Sequence, residues 1–142
     1  MATIYEKVLV TGGYGFIGSA LIRKIIKDTN LNVLNIDKIG YASDKRSVDQ
    51  LINNKNDYYD RYLFEKLDLL NSQSLKNVIF DFRPDIVIHL AAETHVDQSI
   101  VNPNKFIMNN IVGTANLLEI CNLFYNELEI HKKKNFKFIH VS

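Results

Sequence analysis

Three glycines at three-residue intervals, Gly12, Gly15 and Gly18, follow the apolar run Val8-Leu9-Val10-Thr11 and lead into residues at helical spacing. Gly13, Gly15 and Gly18 also satisfy Gly-x-Gly-x-x-Gly, so two related templates overlap in one segment. Glycines so placed supply backbone angles closed to other residues, allow the main chain to approach an anion closely, and let a helix pack tightly on a strand. A helix opening there directs its unpaired N–H groups and the positive end of its dipole at the same point. The chemistry this arrangement performs is phosphate binding. Asp37 closes a second strand pattern about twenty residues beyond the last glycine, where a carboxylate would accept ribose hydroxyls. Strand, glycine turn, helix and acid together predict a dinucleotide site rather than an ordinary turn.

The remaining polar candidates have plainer readings. Glu93 and Asp97 fall in a predicted loop at the same edge, but spacing alone gives no acid–base pair, and a structural or cofactor-positioning role is expected. His89, His95, His131 and His140 with the single Cys121 form no metal-ligand pattern, so no metal is expected. His89 reads as a strand residue with a hydrogen-bond partner, and Cys121 as a small core or interface residue. The lysines at 132–134 read as a solvated turn, without the aromatic platform or second basic cluster of a nucleic-acid surface.

Positioning these residues requires an alternation of strands and helices. Lys7–Thr11 is the first strand, followed by a helix from Phe16 whose apolar positions are Phe16, Ile17, Ala20, Leu21, Ile25 and Ile26. Asn32–Asp37 is the second strand, and residues 38–60 are loop with a short helix at Val48, Leu51 and Ile52, before the polar stretch 53–56. Residues 61–68 form a third strand ending in another acid, Asp68. Asn71 or Ser72 caps a helix carrying Leu75, Val78, Ile79 and Phe82, which Pro84 ends. Residues 85–90 are almost unbroken apolar, as in a strand covered on both faces. Asn102 and Pro103 open a long helix to 128 with Phe106, Ile107, Ile111, Leu117, Leu118, Cys121, Phe124, Tyr125 and Leu128, a surface wide enough to suggest a second packing partner. Residues 135–142 form the fifth strand. This is an α/β, doubly wound, Rossmann-type parallel sheet of about five strands in the order 3-2-1-4-5.

Composition sets outer bounds. The chain of 142 residues fits one domain, and a formal charge of +1 offers no general attraction for nucleic acid or an anionic membrane. One cysteine suits a reducing compartment, the first five residues show no targeting pattern, and a cytoplasmic location is expected.

The motifs Thr11-Gly-Gly-Tyr-Gly-Phe-Ile-Gly-Ser19, Asp37-Lys-Ile-Gly-Tyr-Ala42, His89-Leu-Ala-Ala-Glu-Thr-His-Val-Asp-Gln-Ser99 and Asn110-Ile-Val-Gly-Thr114 with Leu117-Leu-Glu119 resemble the extended short-chain dehydrogenases/reductases. Within them they resemble the dTDP-glucose 4,6-dehydratase family, along essentially the whole chain. The resemblance implies NAD as cofactor. It gives Gly12, Gly15, Phe16, Ile17 and Gly18 to the pyrophosphate, and Asp37, Lys38, Ile39 and Gly40 to the adenosine ribose. Asp68 and Leu69 go to the adenine, and Leu90, Ala91, Ala92, Glu93 and Thr94 to the nicotinamide side, Thr94 also lying near the sugar nucleotide. Asp37 beside a ribose favours NAD over NADP, because a carboxylate repels a 2′-phosphate. Asn109 stands where the family usually has a cofactor-contacting Thr.

The family reaction oxidises C4 of the sugar, eliminates water across C5 and C6 and returns the hydride to C6. The resemblance puts its acid–base groups, a Thr-Asp-Glu set and a Tyr-x-x-x-Lys pair, beyond Ser142. Residues 1–142 are therefore expected to be an NAD-binding Rossmann domain without the substrate-binding portion. No catalytic residue is expected in them, and these residues alone are expected to be inactive. The long helix is expected to be a homodimer seam. Two other readings share part of the motif set: an NAD-dependent nucleotide-sugar epimerase or decarboxylase, and a dinucleotide-binding module without catalysis.

Overall fold

Strand β1 (Lys7–Thr11) is apolar on both faces, Val8 and Val10 on one and Leu9 on the other, and is buried from Val8 onward. Such a strand needs cover on both sides. It lies at the centre of a five-stranded sheet with β2 (Asn32–Asp37), β3 (Tyr62–Lys66), β4 (Ile86–His89) and β5 (Lys137–His140). Every pairing is parallel and the order is β3-β2-β1-β4-β5, as the alternating pattern predicts. The computed structural model describes residues 5–52 and 57–141; residues 1–4, the polar stretch 53–56 and the expected strand end at Ser142 lie outside them.

Among the described residues seven α-helical segments connect the strands: α1 (Phe16–Asp28), α2 (Arg46–Asp49), α3 (Ser72–Phe82), α4 (Val96–Val101), α5 (Pro103–Phe106), α6 (Gly113–Glu127) and α7 (Ile130–Asn135). On one face Ile22 and Ile26 of α1 and Val48 of α2 cover Val8, Val10 and Val33. On the other, Leu75 and Ile79 of α3 and Leu117, Ile120, Cys121 and Phe124 of α6 cover Leu9, Leu34, Ile36 and Val87. Among the described residues no helix is long and apolar enough to cross a membrane.

The helix ends follow local chemistry. Asn71 Oδ1 accepts the Ser74 N–H at 3.1 Å and opens α3, while Arg83, left-handed at φ 54°, closes it ahead of Pro84. Asn102 caps α5 by accepting the Lys105 N–H, with Pro103 in the first turn. At the far end of α1 the Arg61 guanidinium donates to the Ile26, Thr29 and Leu31 carbonyls at 2.9–3.1 Å, placing a cation on the negative end of the helix dipole.

Several expectations are corrected. The buried face of α1 is Gly18, Ser19, Ile22 and Ile26; Phe16 and Ile17 are 95% and 62% exposed because the first turn overhangs the ends of the strands. Asp97 lies in the short helix α4, not in a loop, and the lysines at 132–134 belong to α7; Lys132 and Lys134 are exposed, whereas Lys133 is half-buried and donates to the Asn126 carbonyl. Between α5 and α6 the chain continues as a π-helical stretch, Ile107–Val112, which hydrophobic periodicity did not suggest.

His89 ends β4 between two threonines. Thr11 Oγ1 accepts the Leu90 and Ala91 N–H groups, so its own proton goes to His89 Nδ1 at 2.6 Å, and Nε2–H donates to Thr114 Oγ1 at 2.8 Å. Burial, reinforced by His140, pushes the His89 imidazole down to about 4. An unfolded imidazole titrates near 6.5. Between those values the unfolded chain binds a proton that the folded chain refuses, so stability is full above the upper value and falls as pH drops toward the lower one. Denaturant titrations across that interval will show the decline, and His89→Gln will flatten it. Leu75→Ala, at a fully buried core position, will cost about 2–5 kcal/mol in the same assay.

Candidate functional site

Beyond the C-terminal end of β1 its neighbours β2 and β4 part, because the connections from them run to opposite sides of the sheet. The chain crosses this gap at the glycines. Gly12 N–H still reaches the Ile36 carbonyl at 2.8 Å, but Gly12 sits at φ 71°, and a methyl there would lie 2.8 Å from the Ala91 N and Cα. Gly15 N–H donates to the Gly12 carbonyl at 3.0 Å, and Ser19 N–H to the Gly15 carbonyl at 2.9 Å. Helix geometry leaves the N–H groups of Phe16, Ile17 and Gly18 without intrahelical acceptors at the mouth of the gap. A side chain on Gly18 would run into the Gly12 carbonyl oxygen.

Buried side chains hold the turn from below. Asn35 Oδ1 accepts the Gly13 N–H at 3.1 Å, and Asn35 Nδ2 donates to the Tyr62 hydroxyl at 3.0 Å. That hydroxyl donates to Tyr14 Oη at 3.2 Å, and Tyr14 in turn to Asp49. Burial pushes both phenols up, so each remains a donor. Asp37 Oδ2 accepts the Tyr14 N–H at 3.0 Å, while Oδ1 accepts the Ile39 N–H at 2.7 Å and the Ser43 hydroxyl at 3.0 Å. A carboxylate has roughly four acceptor positions. Three are spent on the protein, which leaves Asp37 one to offer.

Gly12, Gly15, Asp37, Lys38, Gly40, Asp68, Leu69, Leu90, Ala91, Ala92, Glu93 and Asn109 line a single cleft at this edge. Phe16, Ile17, Gly18, Ile39 and Thr94 do not. The first three meet the gap through backbone, Ile39 turns away at φ 59°, and Thr94 is exposed. Ile36, Tyr41, Ala42, Ser43 and Leu67 also line the cleft and were not singled out. Tyr41 and Ala42 belong to the motif that starts at Asp37, and Ile36 immediately precedes that acid, so position relative to Asp37 was the available signal. His95 borders the cleft through an edge-on contact with Tyr41, ring centroids 5.6 Å apart. Among the described residues no group of His, Cys, Asp or Glu side chains could hold a metal ion.

Glu93 joins the two sides of this cleft. Its Oε1 accepts Lys38 Nζ at 2.7 Å, Asn109 Nδ2 at 3.3 Å and Lys105 Nζ at 3.4 Å. Burial pushes its carboxyl up, but the Lys38 and Lys105 ammonium groups outweigh this and hold it below the usual carboxylate range. Its backbone is fixed by Asn110, whose amide accepts the Glu93 N–H at 2.8 Å and donates to the Glu93 carbonyl at 3.0 Å. Asn109 and Asn110 are consecutive and lie in the π-helical stretch. The two amides reach different parts of one residue, Asn109 the Glu93 side chain and Asn110 its backbone.

A family model described as GDP-mannose 4,6 dehydratase matches residues 9–142. The dTDP-glucose 4,6-dehydratase of Salmonella typhimurium is 46% identical over 136 residues, which are 96% of this chain and 36% of that protein. The chain thus spans little more than a third of the length of such relatives. The solved dTDP-glucose 4,6-dehydratase of Bacillus anthracis, in complex with NAD, aligns with TM-score 0.75 and 25% identity over 96% of this chain and 37% of its own. The UDP-Glc/GlcNAc 4-epimerase of Campylobacter jejuni aligns with TM-score 0.76 and 30% identity over 95% of this chain and 36% of its own. With the glycine turn, the strand-end acids and the Ala91 loop all inside the matched segment, the chain belongs to the GDP-mannose 4,6 dehydratase family.

Proposed function

We propose that residues 1–142 form the NAD-binding part of a dTDP-glucose 4,6-dehydratase. The observation that carries this reading is the meeting of the glycine turn, Asp37, Asp68 and the Ala91 loop in one cleft at the switch point of the sheet. The residues fit the cofactor: a cradle that a methyl on Gly12 or Gly18 would fill, a helix start with free N–H groups, and a strand-end acid with one acceptor position left. NAD held here would supply the acceptor for the hydride leaving C4 of the sugar and the donor that gives it back at C6. The chain's own residues bind and orient it. The N–H groups of Phe16, Ile17 and Gly18 would face the pyrophosphate, Asp37, Lys38 and Gly40 the adenosine ribose, and Asp68 with Leu69 the adenine, while Ile39, turned toward the core, would hold Asp37 through its N–H. Leu90, Ala91, Ala92, Glu93 and Asn109 would border the nicotinamide side, and Thr94, exposed outside the cleft, the sugar nucleotide. Relatives of 46% identity named for the dehydratase favour it over the epimerase, whose likeness is 30% and rests on the shared architecture.

The same reading gives a cytoplasmic protein that pairs with a second copy through the 102–128 helix. Its inner residues Leu117, Cys121, Phe124 and Leu128 are buried, whereas Ile107, Ile111, Leu118 and Tyr125 form an exposed apolar stripe outside. A stripe of that kind suits a helix seam between copies.

Calorimetry will show the full-length protein binding NAD. Gly12→Ala will raise the Kd about tenfold or more, from left-handed strain added to collision with Ala91, with the circular dichroism spectrum retained. Incubation with dTDP-glucose will yield a nucleotide sugar lighter by one water, whereas a product of unchanged mass would favour the epimerase. Light scattering will report a dimer, and Leu118→Glu a monomer.

A further inference from the structure

Lys38 presents a difficulty for a site that binds NAD. It directly follows Asp37 and lines the same cleft, and a basic group beside the ribose-binding acid is what accommodates the 2′-phosphate of NADP in sheets of this kind. Repulsion from Asp37 would be offset by such a cation. The structure shows where that cation goes: Lys38 Nζ is 2.7 Å from Glu93 Oε1, which reaches it from the β4 side of the cleft. The same oxygen takes Lys105 at 3.4 Å and Asn109 at 3.3 Å, and the Glu93 side chain is only 14% exposed. Asn110 fixes the Glu93 backbone at both its N–H and its carbonyl. The carboxylate is therefore held in position and partly withdrawn from water, where ion pairs are screened less than on the surface.

We propose that Glu93 is a specificity-determining residue, which excludes the 2′-phosphorylated dinucleotide by occupying Lys38 from across the cleft. This rests on the dinucleotide reading above. A 2′-phosphate could recruit Lys38 only by breaking its pair with Glu93 and bringing a dianion close to two carboxylates. The ribose hydroxyls of NAD make no such demand. Exclusion of NADP is thus shared between Asp37 on β2 and Glu93 after β4.

The test is the ratio of the NADP and NAD dissociation constants, measured by calorimetry on the full-length protein. Glu93→Gln keeps the shape and an acceptor for Asn109 while releasing Lys38. It is expected to shift the ratio about tenfold toward NADP, the scale of one charge-assisted hydrogen bond at a half-exposed site. Lys38→Gln combined with Glu93→Gln is expected to abolish the shift. NAD binding with an unchanged ratio in Glu93→Gln overturns this inference alone, as does a shift that survives in the double variant. Failure of the wild-type protein to bind either dinucleotide overturns the dinucleotide reading and this inference with it.

Discussion

Where β1 runs out, the sheet stops supplying hydrogen-bond partners, and the rest of the site depends on how that loss is made good. A buried backbone N–H without an acceptor is costly, and such groups are nearly always paired. Three buried polar side chains do this here. Thr11 accepts the Leu90 and Ala91 N–H groups, Asn35 that of Gly13, and Asp37 that of Tyr14. Each lies at or near a strand end, so the interruption of the ladder is itself rigid. The glycine turn keeps its shape because these acceptors are fixed by the sheet, and the cleft exists because the turn does.

This explains which parts of the molecule were legible in the sequence. Strand positions could be read because both faces of the sheet need cover, which writes unbroken apolar runs at β1 and β4. The capping of α3 and α5 could be read because Asn71 and Asn102 act on groups three residues away. The buried face of α1 was misread since hydrophobicity cannot distinguish a residue facing the sheet from one that overhangs its edge. Phe16 and Ile17 are as apolar as Ile22 and Ile26, and only the placement of the first turn beyond the strands separates them.

The cleft was legible in part for a related reason. Residues that meet it by virtue of strand ends, such as Asp37, Asp68 and Ala91, follow from topology, whereas Tyr41 and Ser43 come from a loop whose path is set by contacts no periodicity records. Ser43 is drawn in by its hydroxyl donating to Asp37, and the loop is held to the glycine turn by the Asp44 N–H donating to the Tyr14 carbonyl at 2.8 Å. Glu93 was placed at the right edge, but its partners were not foreseeable: Lys38 lies 55 residues earlier in the chain, and Asn109 and Asn110 come from a π-helical stretch that no periodicity records.

That widening fixes a phase relation. Lys105 before it and Asn109 and Asn110 within it reach Glu93, and residues after it serve the core through Leu117, Ile120 and Phe124, although all belong to one uninterrupted helical path. A π turn amounts to one residue inserted into an α-helix. Were all six residues of 107–112 to take regular α geometry, one half would rotate against the other by about a hundred degrees. Either the amides would leave Glu93 or Leu117, Ile120 and Phe124 would leave the sheet. The widened turn is consequently what keeps the two halves of the path in phase with their separate partners, a role that belongs to the backbone rather than to any one side chain.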